Sequence, residues 1–297
     1  MSNPYAQHNA QNKANFDHVY DLPDPRGYFE ALGSLDYLAP EHARRLFSVL
    51  LQEVRAEGGP DGVLDLCCSY GVNAALLGHD LTLDDLYARY ASPELADLST
   101  EELLAADRPF YAGRRHPSPP EIVGADSAAN AVRYALGAGL LEEGFGENFE
   151  TTDPSEAFRE AVGDVGLVTV TGGVGYVWER TFDHVLKAVA EARPDGRAPW
   201  VATLPARLVD YEPLSDLFSG YGLVTQKLSA RTFPQRRFTD AAERDHVLRQ
   251  LAGMGLDPAG KEEEGWYHAD LYLSQPAGEA SKASVDELFG ASGLLDY

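Results

Sequence analysis

The chain has 297 residues, and 44% of them are hydrophobic, which is enough to bury a sizeable core. Lys and Arg number 24 against 47 Asp and Glu, so the formal net charge is −23. This acidic balance argues against nucleic acids and anionic membranes as partners, because clustered Lys and Arg bind both. The length allows either one large α/β domain with appendages or two domains.

No apolar run approaches the ~18 residues of a transmembrane helix, and residues 1–15 lack the apolar core of a signal peptide. Cys67 and Cys68 are adjacent, so they cannot join distant segments, and we expect reduced thiols. These features predict a cytoplasmic protein without a membrane partner. They do not indicate an oligomeric state.

The N-terminal part is predicted to cover the rest of the chain. Residues 1–15 are polar and predict a disordered N-terminus, and residues 16–57 predict a helical cover or lid. Within the cover, a helix over residues 41–54 carries its apolar side chains on one face. A Gly-Gly-Pro sequence at residues 58–60 ends it.

Residues 58–276 alternate between apolar strands and helices. Strands are predicted at residues 63–67, 122–125, 148–151, 165–171, 200–204, 223–228 and 267–273. Helices are predicted at residues 73–77, 128–139, 178–192, 214–218 and 240–251, and another begins at Asp153. The alternation predicts an α/β fold: a doubly wound, mostly parallel, Rossmann-like seven-stranded sheet with an antiparallel edge strand.

Residues 78–120 interrupt this alternation and predict a helical insert. Ser99 and Glu102 have the spacing of a capping box, which opens a helix. An insert at the ligand edge of a sheet is either a lid or a decorative flap, and the sequence favours neither. Residues 277–297 are polar and predict a C-terminal tail.

The first candidate site is the turn that follows the first predicted strand. The sequence from Val63 to Gly71 is an apolar strand that ends in small residues before a helix. Small residues let the backbone approach a ligand, and ligands of open α/β sheets bind beyond the carboxyl ends of the strands. Asp65 lies near this end, where its carboxylate can meet an ammonium group or an ordered water.

The second candidate site is the acidic residue after the second predicted strand. Asp126, followed by Ser127, stands where nucleotide-binding sheets carry the carboxylate that holds ribose hydroxyls. Asp65 and Asp126 are 61 residues apart, and 18 remain when the 43-residue insert is left out. A simple βαβ unit has ~20, so the insert accounts for the difference.

This pair of sites resembles the class I S-adenosylmethionine-dependent methyltransferase superfamily. Cys67, Ser69 and Gly71 stand where the family has the glycines of its first motif, and Asp126 stands at its second acidic motif. The resemblance covers about residues 60–276, including the late antiparallel strands. It implies S-adenosylmethionine as cofactor, with the methionine moiety near residues 65–71 and the ribose on Asp126, and it makes Ser127 a further cofactor-binding residue. The Cys and Ser depart from the family's glycines.

The resemblance also implies roles for residues after the third and fourth strands. A polar residue near Asp153 would contact the adenine amine, although Asp153 before Pro154 is equally the start of a helix. Thr171 ends the fourth strand, which in this family faces the reacting methyl group. Tyr176 is predicted to contact the sulfonium or donate to a substrate; the alternative is a half-buried tyrosine that anchors the next helix.

Four more residues are candidates outside these motifs. Tyr28 is expected to close over the cofactor with Arg26 near its carboxylate, or to belong to a packed entry segment. Asn130 is compatible with a catalytic role in a closed pocket. His268 is either a general base or a structural strand histidine.

Other site types lack their motifs. A dinucleotide site expects Gly-x-Gly-x-x-Gly, of which Gly71 alone is present, and a P-loop sequence is absent. The histidines and cysteines form no metal-binding pattern, so no metal is expected.

Three functions remain open from the sequence. The first is an S-adenosylmethionine-dependent methyltransferase acting on a small organic molecule, with no nucleic-acid substrate. The second is an enzyme that cyclises S-adenosylmethionine to azetidine-2-carboxylate and releases methylthioadenosine. The third is a non-catalytic protein that binds the cofactor.

Overall fold

The computed structural model of the chain describes residues 3–4, 17–280 and 282–293. Predictions for residues 1–2, 5–16, 281 and 294–297 lie outside the described residues. The strands are β1 (Gly62–Leu66), β2 (Ile122–Ala125), β3 (Glu143–Phe145), β4 (Val165–Thr171), β5 (Trp200–Leu204), β6 (Leu223–Lys227), β7 (Phe233–Arg237), β8 (Trp266–Ala269) and β9 (Tyr272–Pro276).

The helices in the same ranges are α1 (Asp17–Tyr20), α2 (Arg26–Gly33), α3 (Ala39–Ala56), α4 (Val72–Gly78), α5 (Leu83–Tyr90), α6 (Pro93–Ala96), α7 (Thr100–Ala112), α8 (Ala129–Ala138), α9 (Glu156–Ala161), α10 (Glu179–Ala192), α11 (Glu212–Gly220), α12 (Ala241–Gly253), α13 (Ala277–Ala280) and α14 (Val285–Ala291). A 3₁₀ turn covers Glu262–Glu264. None of these helices is long and apolar enough to cross a bilayer.

One seven-stranded sheet carries the fold, in the order β3-β2-β1-β4-β5-β9-β6. The pairs from β3 to β5 are parallel, and β9 runs antiparallel to both β5 and β6. This confirms the predicted α/β class with a mostly parallel, Rossmann-like sheet. The sheet also has the element order on which the methyltransferase resemblance rests.

Two late strands and one early strand differ from the prediction. The third strand is Glu143–Phe145, and the predicted strand at residues 148–151 is wrong: the carbonyl of Asn148 accepts the N–H groups of Thr151 and Thr152 in a turn. The predicted strand at 267–273 is two strands, β8 and β9. They separate at Asp270, and β8 pairs with the unpredicted β7 in a small second sheet.

The sheet is covered on both faces, which explains why its central strands are mostly apolar. β1 is buried at every residue. Val63 and Leu64 are neighbours on β1 but belong to two separate apolar clusters, because successive side chains of a strand point to opposite faces. Burial of each such side chain contributes roughly 1.5–3 kcal/mol.

The N-terminal helices and the insert pack against each other. The Phe29 ring stacks on Tyr90 with a centroid distance of 4.6 Å, and the Tyr87 hydroxyl donates to the Tyr37 carbonyl at 2.9 Å. Asp107, which is fully buried, accepts from the hydroxyls of Tyr90 and Tyr134, both at 2.7 Å. This carboxylate joins the insert to α8, next to the sheet.

The segment predicted as a tail contains the short helices α13 and α14. Ser284 and Glu287 form a capping box at the start of α14. Phe289 is fully buried in the same apolar cluster as the helices on that face of the sheet. Residues 285–291 therefore contribute to the core.

We predict that Asp107→Ala destabilises the fold by ~3–5 kcal/mol, the usual cost of breaking a buried ion pair. The Arg89 guanidinium, whose Nε donates to Asp107 at 2.7 Å, and two tyrosine hydroxyls would lose their acceptor. Urea denaturation measures the loss. Asp84→Ala, on the exposed face of α5, is the control and should change stability by less than ~0.5 kcal/mol. Equal effects of the two substitutions would contradict the role of Asp107.

Candidate functional site

A cavity of about 410 Å³ opens at the carboxyl ends of the central strands. Its walls come from residues 66–69 after β1, 125–128 after β2, 147–150 after β3 and 171–173 after β4. β1 pairs with both β2 and β4, so the strand order reverses direction beside it. The cavity thus lies at the topological switch point, where open α/β sheets bind their ligands.

The turn after β1 has an unusual backbone. Cys67, Ser69 and Gly71 have φ values of +58°, +49° and +73°, in the left-handed region. Each non-glycine residue there costs roughly 1–2 kcal/mol. A Cβ on Gly71 would also lie 3.1 Å from the Cβ of Ala135. The three positions predicted to replace the family's glycines are therefore those whose conformation favours glycine.

Asp126 connects the first two loops of the cavity. Its Oδ2 accepts the Ser69 N–H and its Oδ1 accepts the Ala128 N–H, both at 2.9 Å. Burial raises the pKa of the carboxyl, although both N–H groups favour the anion. Each carboxylate oxygen retains a lone pair for a further donor. Asp126 and its exposed neighbour Ser127 both line the cavity.

Asp65 lies beneath the cavity, and its side chain does not form the wall. Its Oδ1 accepts from Asn73 Nδ2 at 2.9 Å and from the Thr169 hydroxyl at 2.8 Å. Asn73 Nδ2 also donates to the hydroxyl of Thr171 at 3.1 Å, and both Asn73 and Thr171 line the cavity. Asp65 therefore orients Asn73, which lines the cavity.

Two buried polar atoms of the wall have no partner within the described chain. They are the hydroxyl oxygen of Ser69 and the Oδ1 of Asn73, on residues that are 6% and 7% exposed. An unpaired buried polar group costs ~1–3 kcal/mol, so such atoms indicate a polar ligand.

Four tyrosines form the wall nearest the N-terminal cover and the end of β4: Tyr20, Tyr28, Tyr37 and Tyr176. Tyr28 and Tyr37 are buried, whereas Tyr176 is 40% exposed at the cavity mouth. The rings of Tyr20 and Tyr28 meet edge to face at 5.6 Å. Burial raises the pKa of Tyr20, Tyr28 and Tyr37, so these hydroxyls stay protonated at neutral pH.

The loop after β3 contributes two carboxylates that also hold helices. Glu150 Oε1 accepts from the N–H of Trp178 and the hydroxyl of Thr181, both at 2.7 Å, at the start of α10. Glu147 accepts from the N–H and the hydroxyl of Ser155 at the start of α9. Both side chains belong to residues that line the cavity.

Two predicted residues lie outside the cavity and fasten the N-terminal segment. Arg26 pairs with Asp24 at 2.8 Å and donates to the carbonyls of Leu95 and Ala96 in the insert. Asn130 donates its backbone N–H and its amide to Asp21. The contacts of both side chains are therefore structural, and the roles of Arg26 at a ligand carboxylate and of Asn130 in catalysis stay predictions.

Asp153 and His268 also lie outside the cavity. The Asp153 side chain is 77% exposed and faces Arg180 and His184, and the N-cap of α9 is Ser155. The helix cap predicted for Asp153 is therefore wrong, whereas its adenine contact stays a prediction. His268 lies on β8, where Nδ1 bonds the Thr232 hydroxyl at 2.9 Å; its pKa is lowered by burial to about 4. His268 is thus held in the small second sheet, and its role as a base stays a prediction.

Several cavity residues were missed by the sequence reasoning. Asn73 follows the glycine-like positions by two residues, and Phe149 and Glu150 lie in the segment mistaken for a strand. A shorter strand at residues 143–145 would have placed that loop at the carboxyl edge. The insert, by contrast, contributes no described residue to the cavity wall.

No protein-family model and no curated protein matches the chain. Similar solved structures include a TehB-like SAM-dependent methyltransferase from Corynebacterium glutamicum, with 13% identity over 77% of this chain and 87% of that chain and a TM-score of 0.36. Magnesium protoporphyrin IX methyltransferase from Synechocystis, with bound SAM, has 10% identity over 93% and 98%, and a TM-score of 0.37. A plantazolicin methyltransferase in complex with a substrate analogue and SAH has 10% identity over 80% and 85%, and a TM-score of 0.38. These values are too low to support an argument about activity.

We predict that Asp65→Asn becomes progressively stabilising, relative to the unchanged chain, as pH rises from about 4 to about 7. Burial raises the Asp65 pKa to about 7, whereas an unfolded Asp has a pKa of ~3.9. In this window the unfolded carboxyl loses its proton and the folded one keeps it, so rising pH favours unfolding by at most ~1.4 kcal/mol per unit.

Urea denaturation of both proteins across this pH range tests the prediction. The Asn side chain keeps an acceptor for Asn73 and Thr169 and cannot ionise. Asp84→Asn is the control, because its exposed carboxyl has no such burial. A stability difference that stays constant with pH would show that Asp65 does not titrate in this window.

Proposed function

We propose that this protein is an S-adenosylmethionine-dependent methyltransferase that acts on a small organic molecule. The observation that carries the proposal is the position of Asp126. It bridges a left-handed turn after β1 and the loop after β2, at the switch point of the sheet. This is the place and the chemistry expected for a bound nucleoside.

The residues present fit the cofactor. The cavity volume of about 410 Å³ lies within the range of ~300–1,000 Å³ typical of small-ligand pockets. We expect Asp126 to accept ribose hydroxyls, and the aromatic Phe149 also lines the cavity. The unpaired Ser69 hydroxyl and Asn73 Oδ1 supply a donor and an acceptor for the polar amino-acid end.

Bound S-adenosylmethionine supplies an electrophilic methyl group. The contribution of the chain is to hold an acceptor in line with that group and to exclude water. Thr171 is the last residue of β4 and Gly173 follows it, and both line the cavity, as do Tyr37 and Tyr176. Such positioning accounts for up to ~7–11 kcal/mol of a reaction barrier.

The size and charge of the site favour a small acceptor. A cavity near the lower end of the usual range leaves little volume beside a cofactor. The net charge of −23 disfavours a polyanionic substrate, because nucleic acids require clustered cations. We therefore include a small molecule, rather than RNA or DNA, in the proposal.

We predict that Asp126→Ala weakens binding of S-adenosylhomocysteine by about tenfold to a hundredfold, since a charged hydrogen bond contributes ~1.5–3 kcal/mol. Isothermal titration calorimetry measures the affinity. Asp84→Ala, which removes an exposed carboxylate outside the cavity wall, should leave the affinity unchanged. Because Asp126 also holds two backbone N–H groups, thermal unfolding must show that the variant is folded. A folded Asp126→Ala protein with unchanged affinity would remove the main support for the proposal.

A second experiment identifies the reaction. The protein is incubated with S-adenosylmethionine, with and without a panel of small acceptors, and the products are identified by mass spectrometry. S-adenosylhomocysteine formed only when an acceptor is present is the expected result. Methylthioadenosine formed without an acceptor would show that the reaction is intramolecular cyclisation and not methyl transfer. If S-adenosylmethionine binds but neither product forms, the protein binds the cofactor without turning over any acceptor of that panel.

A further inference from the structure

Among the residues that the structure describes, the cavity wall carries carboxylates and no cationic side chain. Four carboxylates belong to residues of the wall: Asp21, Asp126, Glu147 and Glu150. Among the described residues that line it, none is Lys, Arg or His. A low-dielectric cavity with one sign of charge focuses the electrostatic potential inside it.

Three of the helix N-termini beside the cavity, which would attract anions, are already occupied by carboxylates. Asp21 Oδ1 accepts the N–H of Asn130 at 2.7 Å, in the first turn of α8. Glu147 accepts the N–H of Ser155 before α9, and Glu150 accepts the N–H of Trp178 before α10. Helix N-termini normally offer these N–H groups to phosphates or carboxylates. Here the chain's own carboxylates occupy them, so an anionic ligand finds none available at these three ends.

Two cations close to these elements are held by their own carboxylates. Arg236 forms a buried pair with Glu243, at 2.7 Å, on the side of Tyr20 and Tyr37. Arg180, in the first turn of α10, pairs with the exposed Asp153 at 3.6 Å. Neither side chain lines the cavity.

The tyrosine wall fits the same kind of ligand. Tyr20, Tyr28, Tyr37 and Tyr176 all line the cavity. Aromatic faces attract onium groups, with a contribution of ~0.5–2 kcal/mol for each well-placed ring. Asn73 Oδ1, buried and unpaired in the described chain, is an acceptor for an ammonium group.

Resting on the function proposed above, we propose that the cavity is a site for organic cations, which binds S-adenosylmethionine in preference to its uncharged demethylated product. S-adenosylmethionine carries a sulfonium and has a net positive charge, whereas S-adenosylhomocysteine is a neutral zwitterion. Loss of the methyl group therefore removes the charge that four carboxylates and four aromatic rings recognise. Transfer of the methyl group therefore also lowers the affinity for the product and favours its release.

Calorimetric titration of the full chain with three ligands tests this selectivity. S-adenosylmethionine and sinefungin, an unreactive analogue with an ammonium in place of the sulfonium, should both bind at least about tenfold more tightly than S-adenosylhomocysteine. The preference should shrink at high salt, because ions screen the carboxylates. Equal or tighter binding of S-adenosylhomocysteine overturns the inference and leaves the proposed function standing. Absence of binding by all three ligands overturns both.

Glu150→Gln tests the carboxylates directly. It keeps an oxygen that accepts from Trp178 and Thr181 but removes the charge. We expect the preference for the cation to fall several-fold, while the affinity for S-adenosylhomocysteine changes less than twofold. Asp21→Asn is a second variant with the same expectation. Glu191→Gln, near the opposite end of α10 and exposed, is the matched control and should leave the preference intact. If Glu150→Gln and Asp21→Asn each weaken binding of S-adenosylmethionine and S-adenosylhomocysteine equally, these carboxylates have a purely structural role and the inference is overturned.

Discussion

The site depends on one carboxylate that holds two loops together. Asp126 accepts the Ser69 N–H across the junction of β1 and β2 and the Ala128 N–H in its own loop. The turn that it holds contains two non-glycine residues in the left-handed region. Their strain of roughly 1–2 kcal/mol each must be offset by the surrounding structure, and the two hydrogen bonds to Asp126 contribute to that. The same carboxylate thus shapes the turn and presents itself to the cavity.

The fold was largely predictable because its signals are strong and local. Buried parallel strands such as β1, β2 and β4 are short apolar runs bounded by turn residues, and helices between them follow from apolar periodicity. β3 was misplaced since it is three residues long and has an exposed first residue, so it has no apolar run of its own. The division of residues 267–273 into two strands depends on tertiary pairing with β5 and β7, which no local pattern shows.

The site was predictable in part, for the same reason. Residues that follow strands, such as Cys67, Ser69, Asp126 and Thr171, reach the cavity because the topology brings all carboxyl ends to one edge. Residues proposed from their chemistry alone, such as Arg26 and His268, did not. Arginine and histidine side chains often have structural roles, and their partners can lie far away in the sequence. Arg26, for example, donates to carbonyls of the insert about 70 residues away. Sequence distance hides such partners.

The N-terminal segment has a consequence for how the protein is made. Tyr70 donates to the carbonyls of Val19 and Leu22, 51 and 48 residues earlier, and Asn130 binds Asp21 across 109 residues. During synthesis the segment with Tyr20 and Tyr28 leaves the ribosome well before its docking partners exist. The segment cannot dock until the turn after β1 and the start of α8 have emerged. The wall that it forms therefore cannot assemble before the start of α8 has emerged, and a chain stalled before that point has the segment without the cavity.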